Sequence, residues 1–313
     1  MHWKEIALAG ALLMPLASFG SKAAETVGCE GAYASLPQGA ILDLLDPEAP
    51  SERRDAALQD YQRLAGMSQC PEFGYTLGLL YRHGPDLPGN LLPRDVPKAR
   101  TLIRAMAEDG YLPAYADLAE MDMRNDAYRE SMQWTQVYLH FVKTVQRPRM
   151  DADAAQFQRS AYNGHLLTRA EVVWGWQKPA VPRKRITEDF NAYLTEHGKS
   201  VEQRMRERFD GQRARVSAQD GLGLRVRTGI GDCRLPERDR VGAATASWIV
   251  EVLPSGQVRR IVLENFVPSV ASAERLEAEC LSRYAFEPFE GDAPRTVRIS
   301  LVYGSSEGAA FRR

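Results

Sequence analysis

Between Pro71 and Ala119 the chain writes one pattern and then begins it again, and this repetition limits the folds open to it. The first copy opens Phe73-Gly74-Tyr75-Thr76-Leu77-Gly78-Leu79-Leu80-Tyr81 and breaks through His83-Gly84-Pro85. It resumes at Asp95-Val96-Pro97-Lys98-Ala99, runs through Leu102, Ile103, Met106 and Ala107, and stops at Gly110. Apolar residues at helical spacing on both sides of a Gly-Pro break predict helix, turn, helix. Pro113-Ala114-Tyr115-Ala116-Asp117-Leu118-Ala119 restarts the pattern roughly 40 residues on, a period expected of stacked helical hairpins. Small residues at Gly74, Gly78, Ala99, Ala107, Ala114 and Ala119 let two helices approach closely, and Leu77, Tyr81 and Leu102 fill the seam between them.

The rest of the chain is arranged at the ends of this stretch. Residues 1–23 read as a secretory signal peptide: Lys4 precedes an apolar run from Ile6 to Phe19, and Ser21-Lys22-Ala23 places small residues at the positions a signal peptidase needs. The expected compartment is the periplasm. Residues 24–70 form a glycine-rich strap and a helix capped by Ser51 that carries Ala57, Leu58, Tyr61, Leu64 and Ala65 on one face. The helical repeats span 71–177. Their second copy pairs with a helix from Tyr128 to Val145, and a degraded third unit runs from Ala152 to Trp176. Lys178-Pro179-Ala180-Val181-Pro182 begins a linker over 178–186, and Thr187 caps a long polar helix over 187–216. Mixed charge makes that helix read as a solvated face, with an arginine face for an acidic partner as the sharper alternative.

From residue 217 to 304 the periodicity changes from helical to alternating. Leu222, Leu224 and Val226 suggest a strand. Thr245–Leu253 and Gln257–Glu264 form a hairpin around Pro254-Ser255-Gly256. Ser272 caps a helix with Leu276, Cys280 and Leu281 on one face, and Arg295–Tyr303 is the last strand, followed by a tail over 305–313. The expected fold class is therefore α then α+β: a short helical solenoid, then an antiparallel sheet with one covering helix.

Two resemblances follow from these residues. Leu77, Gly78, Tyr81, Gly84, Asp95, Lys98, Ala99, Ala107, Gly110, Ala114 and Leu118 stand at the spacings of a Sel-one-like repeat, a tetratricopeptide-related hairpin. The long turn from Gly84 to Pro93 and the bulky Phe73 depart from that pattern. The resemblance implies a protein-binding solenoid without catalytic residues. Ile249–Leu253, Gly256, Val258–Leu263, the Leu276 helix and Arg283-Tyr284-Ala285-Phe286-Glu287-Pro288 resemble the C-terminal domain of TonB-type energy transducers. A transducer's Pro-rich spacer and retained membrane anchor are not found.

Composition bounds the function further. With 44% hydrophobic and 26% charged residues and a formal net charge of −1, the chain is ordinary globular protein and no polyanion binder, so nucleic acid is excluded as a partner. A nucleophile with a base in reach is not recognised. Gly229-Ile230-Gly231 lacks the remainder of a dinucleotide loop, and His83, His140, His165 and His197 stand apart from any metal-ligand spacing. Glu264, Glu287 and Glu290 cluster in sequence only. The expectation is a non-enzymatic protein with no cofactor and no metal, acting on a protein partner of the cell envelope. One alternative is an accessory or energy-transducer-like component of TonB-dependent outer-membrane uptake, whose last domain pairs by strand addition with a receptor segment; peripheral membrane contact stays open, and an envelope hydrolase with an unrecognised site is the other alternative. Tyr75, Leu79, Arg104 and Asp117 are placed around the solenoid groove as partner-contacting residues. Four cysteines in an exported chain imply disulfides and allow three pairings; Cys29 with Cys70 and Cys233 with Cys280 keeps each bridge inside one unit.

Overall fold

The computed structural model describes residues 14–16, 29–67, 70–146, 183–219, 224, 226–228 and 244–303. Helices α1 (Cys29–Ala34), α2 (Ala40–Leu45) and α3 (Ser51–Ala65) lead into α4 (Pro71–His83), α5 (Val96–Glu108), α6 (Leu112–Arg124) and α7 (Tyr128–Phe141). Then come α8 (Arg183–Tyr193) and α9 (Lys199–Gln219), joined by the wide turn Leu194–Gly198. Short β1 (Met14–Leu16) and β2 (Val226–Thr228), with β3 (Ala244–Val252), β4 (Val258–Val267), helix α10 (Val270–Glu279), β5 (Ala285–Phe286) and β6 (Arg295–Tyr303), complete the described chain. Among the described residues the fold is thus mostly helical first and a small antiparallel sheet with one helix afterwards.

The helices pair as their small residues dictate. α4 lies along α5, α6 along α7, and α5 against α6. At Gly78 an added Cβ would meet Ile103 Cγ1 at 2.9 Å and Leu102 Cβ at 3.2 Å, so the α4–α5 crossing needs glycine there. Asp95 caps α5, its side chain accepting from the Lys98 amide at 3.0 Å. Ser51, by contrast, is the first helical residue of α3 and makes no capping bond from the preceding position, which Pro50 holds. α7 runs on past its last regular turn as the wider turn Val142–Gln146. The third unit expected over Ala152–Trp176 lies outside the described residues.

The expected linker ends earlier than its charges suggested. α8 is already helical at Arg183, so Thr187 sits inside it and donates its hydroxyl to the Arg183 carbonyl at 3.1 Å. Nor is α9 a simple solvated rod. Gly110, at φ 87°, lets its backbone come against Met205 and Arg204, where a Cβ would lie 2.6 Å from the Met205 nitrogen. Arg204 donates to the Glu108 carbonyl at 2.6 Å, and Arg208 pairs with Glu72 at 3.1 Å and with Asp109. These cations therefore satisfy the carbonyl end of α5, where its dipole is negative.

The sheet runs β1-β6-β3-β4, antiparallel throughout, with β2 and β5 forming a separate pair. Register places Trp248 between Ile299 and Leu263, and Val250 between Val297 and Ile261. This face carries α10, whose Glu277 accepts from the Trp248 indole at 2.9 Å. Ser269, not Ser272, caps that helix: its side chain accepts from the Ser272 amide. The alternate residues, Ser247, Ile249, Glu251 and Arg298, face the other way, towards α2, α4 and α6. A bulge between Ser247 and Trp248 inserts Glu264 on β4. The sheet is therefore held between one helix and the helical array, and the buried apolar residues of both parts form one continuous cluster.

Cys29 and Cys70 are bridged, with Cα atoms 5.2 Å apart, a normal disulfide span. The bond ties the start of the strap to the entry of α4. Cys280 is buried and disulfide-bonded; Cys233, its expected partner, lies outside the described residues.

Candidate functional site

The polar residues of α4 and α6 converge where the sheet lies on them. Tyr75 and Arg82 occupy one face of α4, two helical turns apart, and Asp117 of α6 lies between them. The Tyr75 hydroxyl donates to Asp117 Oδ2 at 2.7 Å and Arg82 Nη1 to Oδ1 at 2.5 Å. From β4, Asn265 Nδ2 donates to the same Oδ1 at 3.0 Å, while Asn265 Oδ1 faces His83 Nε2 at 2.8 Å and accepts the Phe266 amide at 2.9 Å. Burial, then the Asp117 charge, raise the Tyr75 hydroxyl well above its usual pKa. His83 is fully buried, stacks on the Phe266 ring at 4.1 Å between centroids, and has its pKa lowered to about 3 by burial and then by the Arg82 charge. A buried carboxylate with three donors has its hydrogen-bonding capacity met.

Two further ionic groups join the sheet to the helices. Glu264 accepts both guanidinium nitrogens of Arg298, at 2.6 and 2.7 Å, under Tyr61, Tyr75 and Tyr111, whose electrostatic fields reach the pair. Burial pushes the Tyr111 hydroxyl up to about 12. Farther along, Arg259 and Arg260 share Glu251, and Arg260 reaches Asp43 at 3.2 Å and Asp46 at 3.6 Å. Burial alone would raise the Glu251 carboxyl; the two arginines overcome it and hold the pKa below the usual range. Nothing in this constellation offers a free nucleophile or an exposed base: every carboxylate is neutralised by a cation.

This placement changes the picture of the four groove residues. Tyr75 and Asp117 are brought together, yet the protein's own sheet covers them, at 7% and 4% exposure. Leu79 is core, at 1%. Arg104 alone stays at the surface, bonded to Glu108 at 2.7 Å and lying 5.8 Å from the Trp134 ring. It borders an open polar cleft of about 330 Å³ lined also by Arg129, Gln133, Asp189, Tyr193 and His197. Arg129 forms a two-point pair with Asp189 there, at 2.5 and 2.7 Å. Beneath it the hydroxyls of Tyr115 and Tyr193 meet at 2.7 Å. The physical reason for the burial of Tyr75 and Asp117 is the polar face of the sheet, whose partners are these helices.

Sequence reasoning missed Arg82, Asn265, Glu264 and Arg298 as parts of one centre and left His83 as an isolated residue. The available signal was an Asn and a Glu side by side in mid-strand, which an apolar environment tolerates only when paired. Sequence reasoning also passed over Gly304-Ser305-Ser306-Glu307-Gly308, which carries the Gly-x-Ser-x-Gly spacing of a hydrolase nucleophile; it follows β6 and lies outside the described residues. Among the described residues there is no group of three metal-ligating side chains, and no helix is long and apolar enough to cross a membrane.

The second feature with binding chemistry is the outer edge of β6. Its only described neighbour there is β1, pairing Met14 with Arg298, Pro15 with Val297 and Leu16 with Thr296. The remaining length of this nine-residue strand has no described ladder on that side. No family model, curated protein or solved structure matches the chain.

Proposed function

We propose that this protein is an exported interaction scaffold of the cell envelope, in which Sel-one-like helical hairpins brace a TonB-C-terminal-like sheet that captures an extended partner segment along β6. The observation that carries this reading is the β6 edge. Met14–Leu16 pairs with it, and those residues fall within the segment read as a signal peptide, so in the exported chain no described strand would cover the outer side of β6. Such an edge is a template for an added strand. Bracing by the helices supports the same reading, because a strand recruited to a rigid sheet loses less of its binding energy to ordering.

The reading is tested with the processed chain, residues 24–313, and synthetic peptides from the periplasm-facing segments of outer-membrane receptors. Binding should slow amide exchange specifically over Arg295–Tyr303, and proline substitution in the middle of the peptide should abolish it by removing a ladder donor. Protection confined to the helices, or none with any extended peptide, would overturn it.

A further inference from the structure

We infer that His83 is an acid-sensitive latch between the helical array and the sheet, holding the C-terminal end of β4 on α4 and α6 only while its imidazole is neutral. The hydrogen-bond pattern fixes the tautomer. Asn265 must point Nδ2 at the Asp117 carboxylate and Oδ1 at the Phe266 amide, since the opposite orientation would set oxygen against carboxylate and amine against amide. Oδ1 is then an acceptor for His83, so Nε2 carries the hydrogen. Nδ1 is left bare, buried and without a hydrogen-bond partner.

A second proton has only Nδ1 to occupy. It would sit on a buried atom with no acceptor among the described residues, creating a buried cation, and the charged groups that face it make matters worse. Arg82 of α4, Arg94 of the following loop and Arg124 of α6 all disfavour a positive ring. The one carboxylate in the network, Asp117, is already neutralised by Arg82 and occupied by Tyr75 and Asn265. Relief comes from parting the ring from Asn265 and Phe266, because these two contacts, 182 and 183 residues away in sequence, are what tie the ring to the sheet. The sign follows: the closed state binds this proton more weakly than the open one, so closure is complete above the ordinary histidine range, about pH 6.5, and weakens as pH falls below it.

The experiment follows amide exchange of Leu263–Val267, corrected for intrinsic rate, together with the His83 ring resonances by NMR, from pH 7.5 to 4.5 in the full chain and in His83→Gln. In the native chain the opening of this segment should grow about tenfold per pH unit below about 6.5, or roughly thirtyfold by pH 5. His83→Gln should show no such growth. An equal rise in both proteins would overturn the latch. Should the variant not fold, the native ring decides: titration near pH 6 with β4 protection unchanged would overturn it, and a ring that stays neutral until β4 opens would sustain it.

Discussion

The two faces of the one sheet are built on different chemistry. Against α10 lie Trp248, Val250, Val297, Ile299 and Leu301, packed with Ala273 and Leu276, all nearly fully buried. Against the helical array lie Glu251, Glu264, Asn265 and Arg298, each held by a charged or polar partner. The first face gains from removing apolar surface from water and asks little of geometry. The second gains only if every charge meets its partner, because a buried ion left alone costs several kcal/mol. Attachment of the sheet to α10 is therefore robust, and its attachment to the helices is conditional on pairing, ionic strength and pH.

Five substitutions, two of them combined in one chain, would break or sharpen this contrast. The largest loss belongs to the dry face: Trp248→Ala removes a fully buried side chain and should cost about 4 kcal/mol in urea unfolding, independent of salt. Arg298→Met comes next, at about 3 kcal/mol, because it strands Glu264, whose side chain is 3% exposed. Adding Glu264→Leu to it should recover most of that loss; an additive double mutant would mean the two charges do not act as a pair. Arg260→Ala should cost about 1.5 kcal/mol in dilute buffer, with a smaller difference from the native chain at 1 M salt, since its side chain is 25% exposed. The smallest effect is expected from Ser247→Ala, which deletes a hydroxyl pair with Ser300 at 2.8 Å and should shift stability by about 0.5–1 kcal/mol.

The same contrast explains what the sequence revealed. Alternation announced β3, β4 and β6, and helical spacing with Gly78 and Asp95 announced the α4–α5 pair, because both patterns report burial of apolar groups by near neighbours. The α10 cap was read one turn late, at Ser272, since Ser269 and Ser272 both satisfy the local rule and only geometry separates them. The helix-facing side of the sheet was illegible for a deeper reason. A polar residue at every second position looks the same whether water or a distant ion pair solvates it, and the partners of Glu264, Asn265 and Arg260 include residues up to 217 positions away. Tyr75 and Asp117 were expected around the solenoid groove, open to a partner. That the chain itself would cover them was not written locally.

Asp117 also sets a clock. Asn265 follows it by 148 residues, so during synthesis α4 and α6 leave the ribosome long before the strand that completes their polar interior. Until β4 emerges, Asp117 lacks one of its three donors and His83 lacks its hydrogen-bond partner and its stacked ring, and the helical half is an unfinished object. Completion is signalled by the last third of the chain, which leaves a prematurely terminated copy marked by a polar helical face that nothing covers.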